Sequence, residues 1–177
     1  YQILITALAR LVRATIGFNL DGSVLEVEAH NAGSNLGDYG LLFALSDDNQ
    51  SFYVFLVRNT GKYGIFLRTP EGWETIQPWT FSDWLSTGHG SNHLVIAHHQ
   101  QQIKVFANGV HLATIQDNKL SGGRVGLVAQ SGDDPDVDIR FDNFSAYRFN
   151  TISSNGKAME WRSILSESGM SPAYLGP

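Results

Sequence analysis

Cysteine is absent from the 177-residue chain. This absence excludes disulfide bonds, cysteine-ligated zinc, iron–sulfur clusters and thiol catalysis. It does not decide the compartment, because a chain of this length buries a sufficient core without covalent cross-links. Long apolar runs are also missing. None approaches the ~20 residues that a membrane-spanning helix needs, so the sequence predicts no membrane insertion.

Charged residues are scarce, at 16% of the chain against about 25% in typical globular domains. Twelve basic and 17 acidic side chains give a net charge of -5. A mildly acidic chain attracts polyanions weakly, so nucleic acid is not an expected partner. Glycine-rich phosphate loops and the GxSxG nucleophile motif do not occur, which excludes common nucleotide-binding and serine-hydrolase classes.

Short β-rich runs, separated by Gly, Asn, Asp and Ser, dominate the first 149 residues. Their starts recur every ~8–16 residues, a rhythm typical of an all-β sandwich or barrel. The runs predict strands over Tyr1–Leu8, Ser23–His30, Tyr39–Leu45, Ser51–Arg58, Lys62–Thr69, Trp73–Gln77, Asn92–His98, Gln102–Ala107, Val110–Ile115, Arg124–Gln130 and Val137–Arg148. No helical pattern of helix length lies between these strands, so we expect one domain over 1–149 without βαβ units.

Two tight hairpins and two unusual strands stand out within this domain. Asn108-Gly109 between alternating runs predicts a type I′ turn, in which both central residues have positive φ. Thr60-Gly61 predicts a second hairpin. The segments YGLLFAL (39–45) and SFYVFLV (51–57) are apolar at every position. Such strands are covered on both faces, or they line a groove with aromatic side chains.

Residues 150–177 differ in composition and are predicted to form a linker followed by a short helical or coil extension. Met159, Trp161, Ile164 and Leu165 lie at roughly helical spacing after a Ser-Ser-Asn stretch that offers helix N-caps. The first residue is Tyr1 rather than Met, so we expect the natural chain to begin further upstream.

The run from NHLVIAHH through the NG turn, the Gly-Gly turn and RVGLVAQ to the closing FDNF strand (92–147) resembles bacterial modules of the concanavalin A-like lectin/glucanase superfamily, some of which are laminin-G-like. The hairpins over 39–68 are similar to the family's preceding strands. The resemblance covers about 12–148 and implies a two-sheet antiparallel jelly-roll sandwich. The family's early strand, which pairs near the closing strand, has no evident counterpart. The superfamily includes lectins, glycosidases, adhesion modules and sensor ectodomains, so the resemblance indicates the fold more than the function.

Aromatic residues are the strongest candidates for a binding site. Flat rings beside acidic and amide groups give carbohydrate sites their apolar contact and directional hydrogen bonds. The candidate carbohydrate-binding residues are Tyr53, Tyr63, Trp73, Trp79 and Trp84. The alternative is structural: Tyr53 would pack between strands, and Trp79 and Trp84 would cover the ends of the sandwich.

Catalysis is not expected. Glucanases of this superfamily carry paired carboxylates on one strand, at a separation suited to an acid and a nucleophile. Glu26 and Glu28 share a strand face, but they lack the intervening Asp and the third acid of that motif. We therefore interpret them as solvent-facing residues of an amphipathic strand.

No cofactor is required by the sequence, but one structural calcium ion is the metal that its residues would accept. The six histidines lack zinc-site spacing, whereas the acidic turns and the closing strand supply oxygen ligands. The resemblance implies an ion near Asp142, whose neighbours Phe141 and Asn143 would point to the opposite face. The alternative is that these carboxylates bond local backbone amides.

The sequence therefore predicts a non-catalytic binding module, located outside the cell or on its surface, with a glycan as the favoured ligand. The alternative is a protein–protein interaction or sensor ectodomain of a larger protein. A glycoside hydrolase is the more distant alternative. Neither the sugar nor the oligomeric state follows from the sequence.

Overall fold

The computed structural model describes residues 1–16, 20–33, 36–133, 135–150 and 160–163, and within these ranges the regular structure is entirely β-strand. The strands are β1 (Gln2–Ile5), β2 (Leu11–Thr15), β3 (Leu20–Asp21), β4 (Ser23–Asn31), β5 (Gly37–Leu45), β6 (Phe52–Arg58), β7 (Lys62–Thr69), β8 (Gly72–Phe81), β9 (Asn92–His99), β10 (Gln102–Ala107), β11 (Val110–Gln116), β12 (Gly122–Ser131), β13 (Val137–Asn150) and β14 (Glu160–Ser163). The predicted all-β class is confirmed.

The strands form two antiparallel sheets. Sheet I has the order β1-β13-β4-β9-β10-β11, with β14 also pairing with β13. Sheet II has the order β2-β12-β5-β6-β7-β8, with β3 also pairing with β12. Strands that are distant in sequence are neighbours in both sheets, as β4 and β9 show. This is the jelly-roll sandwich that the resemblance implied.

The main core lies between the sheets and is built from one side of every central strand. In β4 the residues Leu25, Val27 and Ala29 are buried, whereas Glu28 is exposed. This period of two is what a pleated strand with one wet face requires. Sheet II contributes larger groups to the same core, among them Tyr39, Phe43, Tyr53 and Phe55.

Both predicted hairpin turns are confirmed. Asn108 and Gly109 have φ values of 51° and 80°, as a type I′ turn demands. The Asn108 side chain bonds the backbone N–H of His93 and the carbonyl of Trp84. In the second turn, Gly61 has a φ of 80° and donates its N–H to the Arg58 carbonyl.

The two fully apolar segments are covered on both faces. Every residue of β5 is buried, and so is every residue of β6 except Arg58. The residues of β6 that point away from the sandwich core belong to a separate apolar cluster. This second layer positions the candidate site described below.

Several predicted elements need correction. Residues 160–163 form strand β14, which pairs with the end of β13, so the helix predicted around Trp161 is wrong there. Backbone hydrogen bonds to the edge of β13 stabilise a strand here more than the helical spacing of a few apolar side chains stabilises a helix. Met159, Ile164, Leu165 and most of the predicted extension over 150–177 lie outside the described residues.

The amino-terminal region contains more strand than predicted. One run over Tyr1–Leu8 was expected, but β1 is shorter and β2 and β3 follow it. β1 pairs with β13, so the chain does supply a strand beside the closing strand. β8 continues past its predicted end through Pro78, which is tolerated because β8 is an edge strand. In the part of the chain that is described, no helix is long and apolar enough to cross a membrane.

Candidate functional site

The outer face of sheet II carries both arginines and aromatic rings. Cross-strand register aligns Asp38 with Arg58, Val54 with Phe66 and Arg68 with Trp73. We call this surface the arginine–aromatic face. It comprises Leu11, Arg13, Asp38, Gly40, Leu42, Phe52, Val54, Leu56, Arg58, Lys62, Gly64, Phe66, Arg68, Trp73, Trp79, Arg124 and Val128.

An apolar floor lies at the centre of the arginine–aromatic face. Leu42, Val54 and Val128 are fully buried although they point away from the sandwich core. Phe66 and Trp79, which are partly buried, pack on this floor. Their ring centroids are 5.3 Å apart with planes tilted by 52°. The rings of Phe66 and Trp79 therefore shield the floor from water and form part of the solvent-facing surface.

One end of this face is fixed by a bidentate ion pair. Arg58 donates from Nε and Nη2 to the two carboxylate oxygens of Asp38, at 2.6 and 2.8 Å. Asp38 is buried, and the hydrogen bonds to it raise the pKa of Arg58. The Arg58 guanidinium also lies 4.3 Å from the ring centroid of Trp79. The ion pair thus holds the Trp79 ring in place from one side.

The opposite end combines three arginines with two rings. Arg13 lies 4.9 Å from the ring centroid of Phe52, and Trp73 meets the same ring edge-to-face at 5.7 Å. Arg68 lies 5.8 Å from the Trp73 ring. Arg124 donates to the carbonyl of Ser46 and to Oδ1 of Asn49, which anchors the β5–β6 loop beside this end.

The structure brings two of the predicted residues together on the arginine–aromatic face. Trp73 is 50% exposed, whereas Trp79 is partly exposed and lies between Phe66 and Arg58. Trp84 is 61% exposed but lies on the loop between the sheets, next to the Asn108 turn of sheet I. It does not belong to this face.

Tyr53 and Tyr63 are in the core, so the prediction that they form a ligand surface is wrong. Both have the inward parity of their strands, and the uniformly apolar sequence of β6 conceals this parity for Tyr53. The Tyr53 hydroxyl donates to the carboxylate of Asp117, and burial together with that carboxylate raises its pKa. The Tyr63 hydroxyl donates to the Leu112 carbonyl at 3.0 Å. Each tyrosine therefore links the two sheets.

The outer face of sheet I holds the two carboxylates considered for catalysis. Glu26 accepts a hydrogen bond from the Tyr147 hydroxyl at 2.8 Å, and its other oxygen lies 3.5 Å from Nε2 of His93. Both Glu26 oxygens are thus engaged, while Glu28 is exposed. The hydrogen bond to Glu26 raises the pKa of Tyr147.

Asp142 is exposed on the same sheet, at a bulge of β13 opposite Glu28. Its carboxylate accepts a hydrogen bond from the backbone N–H of Asn143 at 2.9 Å. Asn143 is also exposed, with a φ of 54°, so the expectation that it points inward is wrong. Among the described residues, no three His, Asp or Glu side chains gather as a metal site. The calcium ion stays a prediction.

A groove of about 1110 Å³ lies at the β9–β10 hairpin. Its lining is amide-rich, with Gln100, Gln101, Gln102, Gln116 and Asn118, and it includes none of the predicted aromatic residues. Among the residues that the structure describes, no Trp, Tyr or Phe ring lines it, so the described lining offers no such stacking platform. The arginine–aromatic face is therefore the better candidate site.

Sequence reasoning missed most of this site. Arg13 is far in the chain from Arg58 and Arg68, and only cross-strand register brings the three to one surface. One signal is present in the sequence: Arg13 and Arg58 are each the lone charge of an apolar strand, and Arg68 lies at the end of the apolar run YGIFL. A charged side chain in such a position has to point away from the sandwich core and to contact a partner.

No protein-family model matches the chain, and no curated protein sequence matches it significantly. Solved structures do. The carbohydrate-binding module CBM66 from Bacillus subtilis has a TM-score of 0.66 at 15% identity, over 79% of this chain and 83% of that one. Bacillus licheniformis β-glucanase has a TM-score of 0.61 at 9% identity, over 84% and 78%. Sheep galectin-11, solved in complex with glycerol, has a TM-score of 0.53 at 11% identity, over 79% and 98%. These similarities show the concanavalin A-like fold.

Proposed function

We propose that this protein is a non-catalytic carbohydrate-binding module whose glycan lies on the arginine–aromatic face. The observation that carries the proposal is the pair of surface tryptophans, the half-exposed Trp73 and the partly exposed Trp79, each contacted by an arginine. A ring fixed in this way stacks on the apolar side of a sugar with little further loss of side-chain freedom.

The solved structures support this proposal. A carbohydrate-binding module and galectins share the fold, and so does a glucanase. The two carboxylates considered for catalysis, Glu26 and Glu28, lie on the other sheet, where both oxygens of Glu26 already have partners. The module therefore binds sugar without cleaving it. Its location outside the cell or on the cell surface stays a prediction.

The test is a glycan-array screen followed by titration of the best ligand. We expect Trp79→Ala and Trp73→Ala each to weaken binding by about tenfold or more, since each removes a stacking surface. Trp84→Ala is the matched control, because Trp84 is at least as exposed but lies off the face.

Equal binding by all three variants would move the site away from this face. The absence of any glycan ligand would favour the alternative of a protein partner. Measured release of reducing ends from the bound glycan would contradict the non-catalytic assignment.

A further inference from the structure

We propose that the glycan bound on the arginine–aromatic face is acidic, carrying carboxylate or sulfate groups. This inference rests on the proposed function and deepens it by naming the class of sugar. It follows from where the chain places its few positive charges.

Five of the 12 basic side chains lie on this one surface: Arg13, Arg58, Lys62, Arg68 and Arg124. The only carboxylate at an outward position of these described strands is Asp38, and Arg58 neutralises it. Three carboxylates lie at the rim: Asp47 and Asp48 on the β5–β6 loop, and Glu71 on the β7–β8 turn. The face is thus positive although the whole chain has a net charge of -5.

Most of these charges have no acidic partner in the described part of the chain. No carboxylate there lies within ion-pair distance of Arg13, Arg68 or Arg124. Their contacts are with rings and with the β5–β6 loop. A guanidinium has five N–H donors, so these contacts leave donors for an anionic ligand.

The arrangement suits a chain of charged sugars better than a small anion. Arg58 and Phe52 are at opposite ends of β6. Arg13 and Arg68 lie beside Phe52. At ~3.3 Å per residue, six residues separate the two positive ends by about 20 Å. Phe66 and the tryptophans occupy the space between and beside them. An extended ligand would meet positive charge at both ends and flat rings along its length.

The probes are matched pairs that differ only in charge: dextran sulfate with dextran, and polygalacturonate with its methyl ester. Polyglutamate serves as a polyanion without sugar. We expect the acidic member of at least one pair to bind and its neutral partner to bind at least tenfold more weakly. Binding of the acidic member should weaken as salt is raised.

Two substitutions locate the effect. Arg68→Gln and Arg13→Gln should each weaken binding of the acidic glycan about tenfold and reduce its salt dependence. Arg140→Gln is the control, because Arg140 is an exposed arginine on the outer face of sheet I. Melting curves of all three variants check that the fold is retained.

The outcomes separate the two proposals. Neutral glycans that bind as tightly as acidic ones, with affinity independent of salt, would overturn the acidic class and leave the carbohydrate site standing. Polyglutamate that binds as tightly as both acidic glycans, with no effect of Trp73→Ala, would make the face a general polyanion surface and overturn both. Failure of every glycan to bind would overturn the proposed function itself.

Discussion

The two outer faces of the sandwich are built on different plans. On sheet I the outward residues are polar or partly exposed, as Glu26, Glu28, His93 and Lys104 show. On sheet II, Val54 and Leu42 also point outward, yet rings and arginines cover them. Sheet I therefore separates one core from water, whereas sheet II lies between two apolar layers. The difference teaches that the solvent-exposed layer of a sheet can lie over an apolar floor. On sheet II, the aliphatic parts of arginine side chains and the faces of aromatic rings form that layer.

The largest expected effect compares a valine on each outer face. Val54→Ala should lower the free energy of unfolding by about 2–3 kcal/mol, because it removes buried methyl groups and leaves a cavity. Val95→Ala on sheet I should cost less than about 1 kcal/mol, since Val95 is already partly exposed. Chemical denaturation of both variants measures the difference. Equal costs would mean that the floor of sheet II is not a true second core.

The next comparison concerns the hairpin turn of each sheet. Gly109→Val in sheet I should cost about 1–2 kcal/mol, from positive φ alone, because no atom lies near the added Cβ. Gly61→Val in sheet II has the same φ, but its Cβ would lie 3.1 Å from the Phe81 ring, so a larger cost is expected. Thermal melts rank the two. An unchanged melt for Gly109→Val would contradict the assigned turn.

A smaller effect is expected from neutralising one carboxylate on each face. Asp38→Asn should cost about 1–2 kcal/mol, since it leaves Arg58 without its bidentate partner while a third of that side chain stays in water. Glu26→Gln should cost under about 0.5 kcal/mol, because the amide oxygen still accepts from Tyr147 and the site is partly exposed. Urea titrations of both variants give the comparison, and a larger loss for Glu26→Gln would reverse it.

The smallest effect tests the predicted calcium ion on sheet I. With one carboxylate at Asp142 and backbone carbonyls as ligands, affinity should be low. An ion that binds only the folded state stabilises it by about 0.4 kcal/mol when its free concentration equals the dissociation constant. A small rise in melting temperature with millimolar calcium, lost in Asp142→Ala, is the expected result. No shift in the unsubstituted protein would dispose of the ion.

Sequence periodicity predicted sheet I well and sheet II only in part. In β4 the alternation of Leu25 and Val27 with Glu26 and Glu28 fixes both the strand and its faces. In β6 every position is apolar, so the strand is predicted but its faces are not. The prediction of Tyr53 rather than Phe52 as the ligand-facing ring is wrong by one residue in parity, and only the register with β5 and β7 shows which face each ring occupies.

The candidate site was predicted as a set of rings without their partners. Trp73 and Trp79 were identified because aromatic residues are evident in a sequence. The pairing of Arg58 with Asp38 was not, because the two are 20 positions apart and meet only across strands. The net charge of -5 gives no sign of the arginine–aromatic face, since it sums the charges of the whole chain.

The second apolar layer has a consequence for how the molecule opens. Backbone amides exchange hydrogen with water only when local opening exposes them, and strands covered on both sides open least often. The most protected amides should therefore be those of β5 and β6, displaced from the middle of the sandwich toward sheet II. Local opening would be concentrated in sheet I. A ligand on the arginine–aromatic face would therefore contact the more rigid of the two sheets.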